Sequence, residues 1–85
     1  MSQLSDYELY IFCKTAKTIN KKGHLELKAI LKFINSKNHK EDMKIIEKFN
    51  KLRLLQKHRN NTYELTKIGR MFALDKCEWF KQRYS

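Results

Sequence analysis

Four lysines recur in the middle of this chain at spacings of four, four and three residues: Lys40, Lys44, Lys48 and Lys51. On a helix these spacings place all four ammonium groups on one face. A second cationic cluster follows at Lys57-His58-Arg59-Asn60-Asn61. Rows of ammonium and guanidinium groups bind phosphate oxygens, so the chemistry that both clusters indicate is contact with a polyanion.

The net charge of +10 is concentrated in the same part of the chain. Residues 21–59 contain twelve Lys or Arg and four acidic residues, whereas residues 1–20 sum to zero and residues 60–85 add +2. A solvated lysine-rich surface explains a high lysine content but explains this concentration less well. We therefore expect a nucleic-acid partner ahead of an anionic membrane.

No set of residues predicts catalysis. The three histidines are isolated in predicted turns or tips, so each is interpreted as a surface residue rather than a base or a ligand: His24, His39 and His58. Gly23 and Gly69 are too few for a glycine-rich phosphate loop. We therefore expect no enzymatic activity, no metal and no cofactor, and no small-molecule ligand is evident.

Two cysteines, Cys13 and Cys77, lie 64 positions apart without the neighbouring Cys or His residues of a zinc site. We interpret both as small buried apolar residues. A disulfide within or between chains is the alternative. The chain has no apolar run of membrane-spanning length and no signal-peptide pattern. We therefore expect a cytoplasmic protein that forms one domain over residues 1–85.

Local signals divide the chain into helix, short strand, helix, helix, β-hairpin and helix. A capping box of Ser5 and Glu8 starts the first helix, and residues 24–26 add one short strand pairing. The third helix spans about residues 38–52 with Asn38 as its N-cap. Hairpin arms at 54–58 and 62–66 flank a turn at Arg59-Asn60-Asn61. Thr66 then caps a fourth helix, predicted over about 67–84, with Ile68 and Met71 on its apolar face.

Three segments of this order resemble the winged helix-turn-helix family of DNA-binding domains: Leu52-Arg53-Leu54-Leu55, Tyr63-Glu64-Leu65-Thr66 and Ile68-Gly69-Arg70. Small archaeal and archaeal-virus transcriptional regulators are especially similar. The resemblance covers about residues 5–75 and implies a mainly α fold with a small β-hairpin. Arg53 stands where the family has a glycine, so we expect either a left-handed Arg53 or a different exit from the helix.

The resemblance implies a DNA-binding protein and a transcriptional regulator. The helix at 38–52 would enter the major groove, and the wing at 56–62 would brace against the minor groove or the flanking phosphates. Because the outward middle of the helix offers lysines rather than Arg, Gln or Asn, we expect salt-sensitive affinity with modest sequence preference. RNA binding and docking of an acidic protein are the alternatives. The implied DNA contacts are His39, Lys40, Lys44, Lys48, Lys51, Lys57, His58, Arg59, Asn60 and Asn61.

Aromatic residues cluster near the C-terminus, beyond what a minimal winged helix needs. They either pack back on the first helix or form a homodimer through the fourth helix. A homodimer would place two recognition helices about 34 Å apart, one turn of DNA. The residues expected at its interface are Phe72, Trp79, Phe80 and Tyr84.

Overall fold

A computed structural model describes residues 4–34 and 38–77, with His39 described by its backbone alone. Within these residues four helices pack around a three-stranded antiparallel sheet, which confirms a mainly α fold with a small β element. The elements in chain order are α1 (Asp6–Lys22), β1 (Leu25–Glu26), α2 (Leu27–Ile34), α3 (His39–Lys51), β2 (Leu55–His58), a 3-10 turn (Arg59–Asn61), β3 (Thr62–Leu65) and α4 (Lys67–Lys76).

The ends of α1 follow from local sequence. The Glu8 N–H donates to Ser5 Oγ at 3.2 Å, and the Ser5 N–H donates to Glu8 Oε1 at 2.8 Å, so the predicted capping box is confirmed. The helix runs to Lys22. Gly23 stops it there because this residue adopts a left-handed φ of 88°, which glycine tolerates without a Cβ clash.

The sheet order is β1-β3-β2, so the central strand is the second arm of the hairpin. Leu25 pairs with Tyr63 across β1 and β3, which confirms the predicted short pairing. Leu55 pairs with Leu65 across the hairpin, and its turn has φ values of 65° at Asn60 and 56° at Asn61. The predicted hairpin and its left-handed Asn turn are therefore confirmed.

Three phenylalanines join the helices in the core. The Phe12 ring of α1 meets Phe49 of α3 and Phe72 of α4 edge-on, each at a centroid distance of 5.5 Å. Such pairs add about 0.5–1.5 kcal/mol beyond the burial of their area. Phe72, which was predicted to face a second copy, thus packs within its own chain. The buried apolar residues around them include Ile11, Ala16, Ile30, Ile46, Leu54 and Leu55.

The link from α3 into β2 depends on a left-handed arginine. Arg53 has a φ of 63°, so it occupies the position for which glycine is preferred. The Leu54 N–H then donates to the Phe49 carbonyl at 2.9 Å and closes the helix end. Of the two exits expected from the sequence, the left-handed Arg53 is the one observed.

The fourth helix differs from the sequence prediction in two respects. It ends at Lys76 rather than near residue 84, because Cys77 has extended backbone angles of φ −102° and ψ 116°. Ile68 and Met71 do not form its buried face, since they are 51% and 61% exposed. Gly69 and Ala73 are buried instead. The predicted interface residues Trp79, Phe80 and Tyr84 lie outside the described residues.

Cys13 and Cys77 form a disulfide with their Cα atoms 5.6 Å apart. The interpretation of both as unbonded buried residues was therefore wrong, and the alternative is confirmed. The extended Cys77 directly after α4 brings its thiol to the flank of α1. Cys77 is 2% exposed, so this bond fastens the end of α4 to α1 inside the protein.

Candidate nucleic-acid interface

The outward face of α3 is set by its cap and its core residues. The N–H groups of Lys40 and Glu41 donate to Asn38 Oδ1 at 3.1 and 3.3 Å, which confirms Asn38 as the N-cap. Ile46 and Phe49 are fully buried, so the opposite side of α3 faces solvent. The row of four lysines lies on that opposite side, as its spacing predicted.

Three members of this row are exposed. Lys40 and Lys51 make no ion pair with any residue that the structure describes. Lys44 lies 3.6 Å from Glu41 one turn earlier, and these side chains are 72% and 61% exposed. An exposed pair of this kind is worth little and exchanges readily for another anion. All three ammonium groups are thus accessible to phosphate.

Lys48 differs from its neighbours because its ammonium is bound within the protein. Lys48 Nζ lies 2.9 Å from Glu8 Oε1 of α1, and the two side chains are 40% and 18% exposed. Partial burial acts to raise the pKa of Glu8, but the Ser5 N–H and the Lys48 ammonium outweigh it and hold this pKa below its ordinary value. Lys48 therefore holds α3 on α1 and is the member of the row least available to a ligand.

The hairpin supplies two further accessible cations, Lys57 and Arg59. His58 was predicted to contact DNA as well, but its Nε2 lies 3.0 Å from Glu64 Oε2 on the neighbouring strand. That carboxylate offsets the charge of a protonated His58. Lys57 and Arg59 are therefore the hairpin cations without a described ion pair, while Asn60 and Asn61 form its tip.

The tip of the hairpin lies beside the start of α2, where the sequence predicts no contact residue. A cleft of about 340 Å³ is lined by Lys28 of α2 together with Asn60 and Asn61 of the turn. The strand register explains the proximity, because Glu26 pairs with Thr62 directly after the turn. Lys28 thus lies at the hairpin tip because the pairing of β1 with β3 brings the start of α2 to the turn.

His39, the remaining predicted contact, is the first residue of α3, and its side chain lies outside the description. No family model, curated protein or solved structure matches this chain. Within residues 4–34 and 38–77, no helix has both the length and the apolar character that crossing a bilayer requires. The same residues contain no cluster of His, Cys, Asp or Glu suited to a metal ion.

Proposed function

We propose that this protein binds double-stranded DNA as a transcriptional regulator, with α3 in the major groove and the hairpin turn braced beside it. The observation that supports this proposal is a set of accessible cations on two elements that follow each other in the chain. Lys40, Lys44 and Lys51 lie on the outward face of α3, and Lys57 and Arg59 lie on the hairpin that directly follows. Phosphates are the ligands that such a set would hold.

The dimensions of α3 suit this role. Its 13 residues make a rod about 20 Å long, and the major groove, about 12 Å wide, admits a helix. The capped N-terminal end carries Lys40 and Lys44, which corresponds to the end that helix-turn-helix proteins direct at the bases. Lysine can reach guanine O6 and N7, but it reads sequence less stringently than a bidentate fork does.

Phosphate contact therefore supplies most of the proposed affinity. The five cations above and Lys28 make about six contacts, for which log K should fall with log salt at a slope near −5. Fluorescence anisotropy on a 24-base-pair duplex between 50 and 200 mM NaCl measures this slope. A slope near zero would remove the nucleic-acid proposal.

A pair of triple variants tests the proposed surface directly. Lys40→Ala/Lys44→Ala/Arg59→Ala removes two lysines and one arginine from it, and should reduce the magnitude of the salt slope by about 3. Lys67→Ala/Arg70→Ala/Lys76→Ala removes the same charges from exposed positions of α4 and serves as the matched control. Equal loss of affinity in both triples would show that net charge alone matters and that α3 is not the contact.

The regulatory part of the proposal needs a different measurement. Selection of binding sites from random duplex DNA at two salt concentrations should enrich a short motif if the protein is a regulator. A palindromic motif would also support the homodimer and give its half-site spacing. Absence of any enrichment would favour an architectural DNA-binding role.

A homodimer through α4 belongs to the same proposal. Phe72 is used inside the chain, so the exposed apolar residues Ile68 and Met71 are the described α4 positions that a second copy could cover. Light scattering on the wild type and on Trp79→Ala and Met71→Glu variants tests this. A monomeric wild type at all concentrations would eliminate the dimer without affecting DNA contact by a single copy.

A further inference from the structure

The solvent face of α1 carries a row of tyrosines and lysines that plays no part in the surface described above. Its members recur at spacings of three, four, three and four residues, so they form one helical stripe: Tyr7, Tyr10, Lys14, Lys17 and Lys21. Tyr7 is 49% exposed and Tyr10 is 59% exposed, which is unusual for aromatic side chains. We call these five residues the α1 stripe.

Two contacts hold the aromatic rings of the α1 stripe in place. The Lys14 ammonium lies 5.9 Å from the centroid of the Tyr10 ring and 5.3 Å from that of Phe33 on α2. The Tyr7 hydroxyl donates to the Ile34 carbonyl at the end of α2, at 2.7 Å. A ring that is already ordered loses less side-chain entropy when a ligand stacks on it.

The electrostatic character of the α1 stripe is cationic over most of its length. From residue 9 to residue 25 the sequence contains no acidic residue, and Glu8 is turned to the other side of α1 by its ion pair with Lys48. The zero net charge of residues 1–20 conceals this feature, because both acids, Asp6 and Glu8, lie in the first helical turn. The stripe is therefore complementary to a polyanion.

The tyrosines decide which polyanion suits the stripe. Duplex DNA hides the faces of its bases in its own stack, so exposed rings beside lysines add little to duplex contact. Unstacked bases of a single strand can lie on such rings while the lysines follow the phosphates. An anionic membrane is less well matched, since the stripe contains no Leu, Ile, Phe or Trp to enter the acyl region.

We infer that the α1 stripe is a binding surface for single-stranded nucleic acid, in which bases stack on Tyr10 and Tyr7 and phosphates bind Lys14 and Lys21. This surface is separate from the outward face of α3, because α3 packs against the buried side of α1 through Phe12 and Phe49. One protein molecule can therefore hold a duplex and a single strand at the same time.

Binding to three fluorescein-labelled probes tests this inference: dT20, an abasic 20-mer with the same phosphates, and a 20-base-pair duplex. The protein should bind dT20 more tightly than the abasic strand. Tyr10→Ala should weaken dT20 binding by about five- to hundredfold, while Tyr10→Phe retains it. Tyr10→Phe is also the matched control, because it removes the hydroxyl and keeps the ring. Duplex affinity should change less than about twofold in both variants.

A variant of the α3 and hairpin surface tests whether single-strand binding is independent of the proposed duplex binding. Lys40→Ala/Lys44→Ala/Arg59→Ala should weaken duplex binding and leave dT20 binding intact. Loss of dT20 binding in Tyr10→Ala supports the α1 stripe even if the wild type binds no duplex. Equal binding of dT20 and the abasic strand, or no effect of Tyr10→Ala, would overturn it. So would binding to phosphatidylserine vesicles without binding to dT20.

Discussion

The Lys48 ammonium donates a hydrogen bond to the Glu8 carboxylate at 2.9 Å, and this ion pair joins the middle of α3 to the first turn of α1. The same carboxylate accepts the Ser5 N–H at 2.8 Å. One side chain thus completes the N-terminal cap of α1 and positions the helix that carries the cationic row. The orientation of that row depends on a partly buried contact that occupies the Lys48 ammonium within the protein.

Substitution of Glu8 by Gln should lower the free energy of unfolding by about 0.5–1 kcal/mol at pH 7, since the ion pair with Lys48 is lost while the amide oxygen of glutamine still accepts the Ser5 N–H. The pKa of Glu8 is lower in the folded state than its ordinary 4.5. Its contribution is therefore complete above about pH 4.5 and is lost as pH falls through the folded-state pKa. In urea unfolding, the difference in unfolding free energy between the wild type and Glu8→Gln should be smaller at pH 3 than at pH 7. Glu41→Gln, in an exposed pair, should change stability by less than about 0.5 kcal/mol.

Replacement of Lys48 and of Lys51 by alanine should have opposite effects on stability and on DNA binding. Lys48→Ala leaves Glu8 without its partner and should lower stability by about 1 kcal/mol, with little effect on the salt slope of duplex binding. Lys51→Ala should leave stability within about 0.5 kcal/mol and reduce the magnitude of the slope by about 1. Thermal unfolding and anisotropy on the same two variants check both statements. A larger slope change for Lys48→Ala would place its ammonium on DNA instead of on Glu8.

Apart from the short pairing of β1, the features that the sequence predicts correctly are local ones. Ser5, Asn38 and Thr66 cap their helices because the hydroxyl or amide oxygen meets an N–H two or three residues ahead. The Asn60-Asn61 turn follows equally from conformations that asparagine tolerates. Each of these depends on neighbours within about four residues, which a single sequence displays directly.

The features that the sequence does not predict depend on tertiary packing. The close approach of α4 to Leu54 determines which side of α4 is buried. Ile68 and Met71 therefore face solvent although both are apolar. Lys48 matches its neighbours in type and spacing, and only the position of α1 shows that Glu8 binds it. The pairing of Cys13 with Cys77 likewise needs the end of α4 to reach α1.

Loss of the disulfide should have the largest effect on stability. Cys13→Ser/Cys77→Ser frees a loop of 64 residues, for which the chain-entropy relation gives about 4 kcal/mol. Urea unfolding of the oxidised wild type, the reduced wild type and the double variant measures it. The reduced protein should match the variant in midpoint. Identical midpoints in all three samples would mean that the bond does not form.

Replacement of Arg53 by glycine should stabilise the protein by about 1 kcal/mol, because a residue with a Cβ is strained at a φ of 63°. Arg53→Ala removes the same charge and keeps the Cβ, so it should show no such gain. The difference between the two variants in urea unfolding isolates the backbone effect from the loss of a cation. If both variants are equally stable, Arg53 does not adopt the left-handed conformation in solution.

Gly69→Ala should destabilise the protein, although the same change usually favours a helix by about 1 kcal/mol. A Cβ at Gly69 would lie 2.9 Å from the carbonyl carbon of Leu54, closer still to its oxygen, and 3.1 Å from Leu65 Cδ1. The helix α4 must then move away from the start of β2, at a cost of about 1–3 kcal/mol or more. Gly23→Ala, where a Cβ meets nothing within 4 Å, should cost only the left-handed strain of about 1 kcal/mol. Thermal unfolding of both variants compares the two mechanisms, and a more stable Gly69→Ala would show that α4 does not lie against the Leu54 backbone.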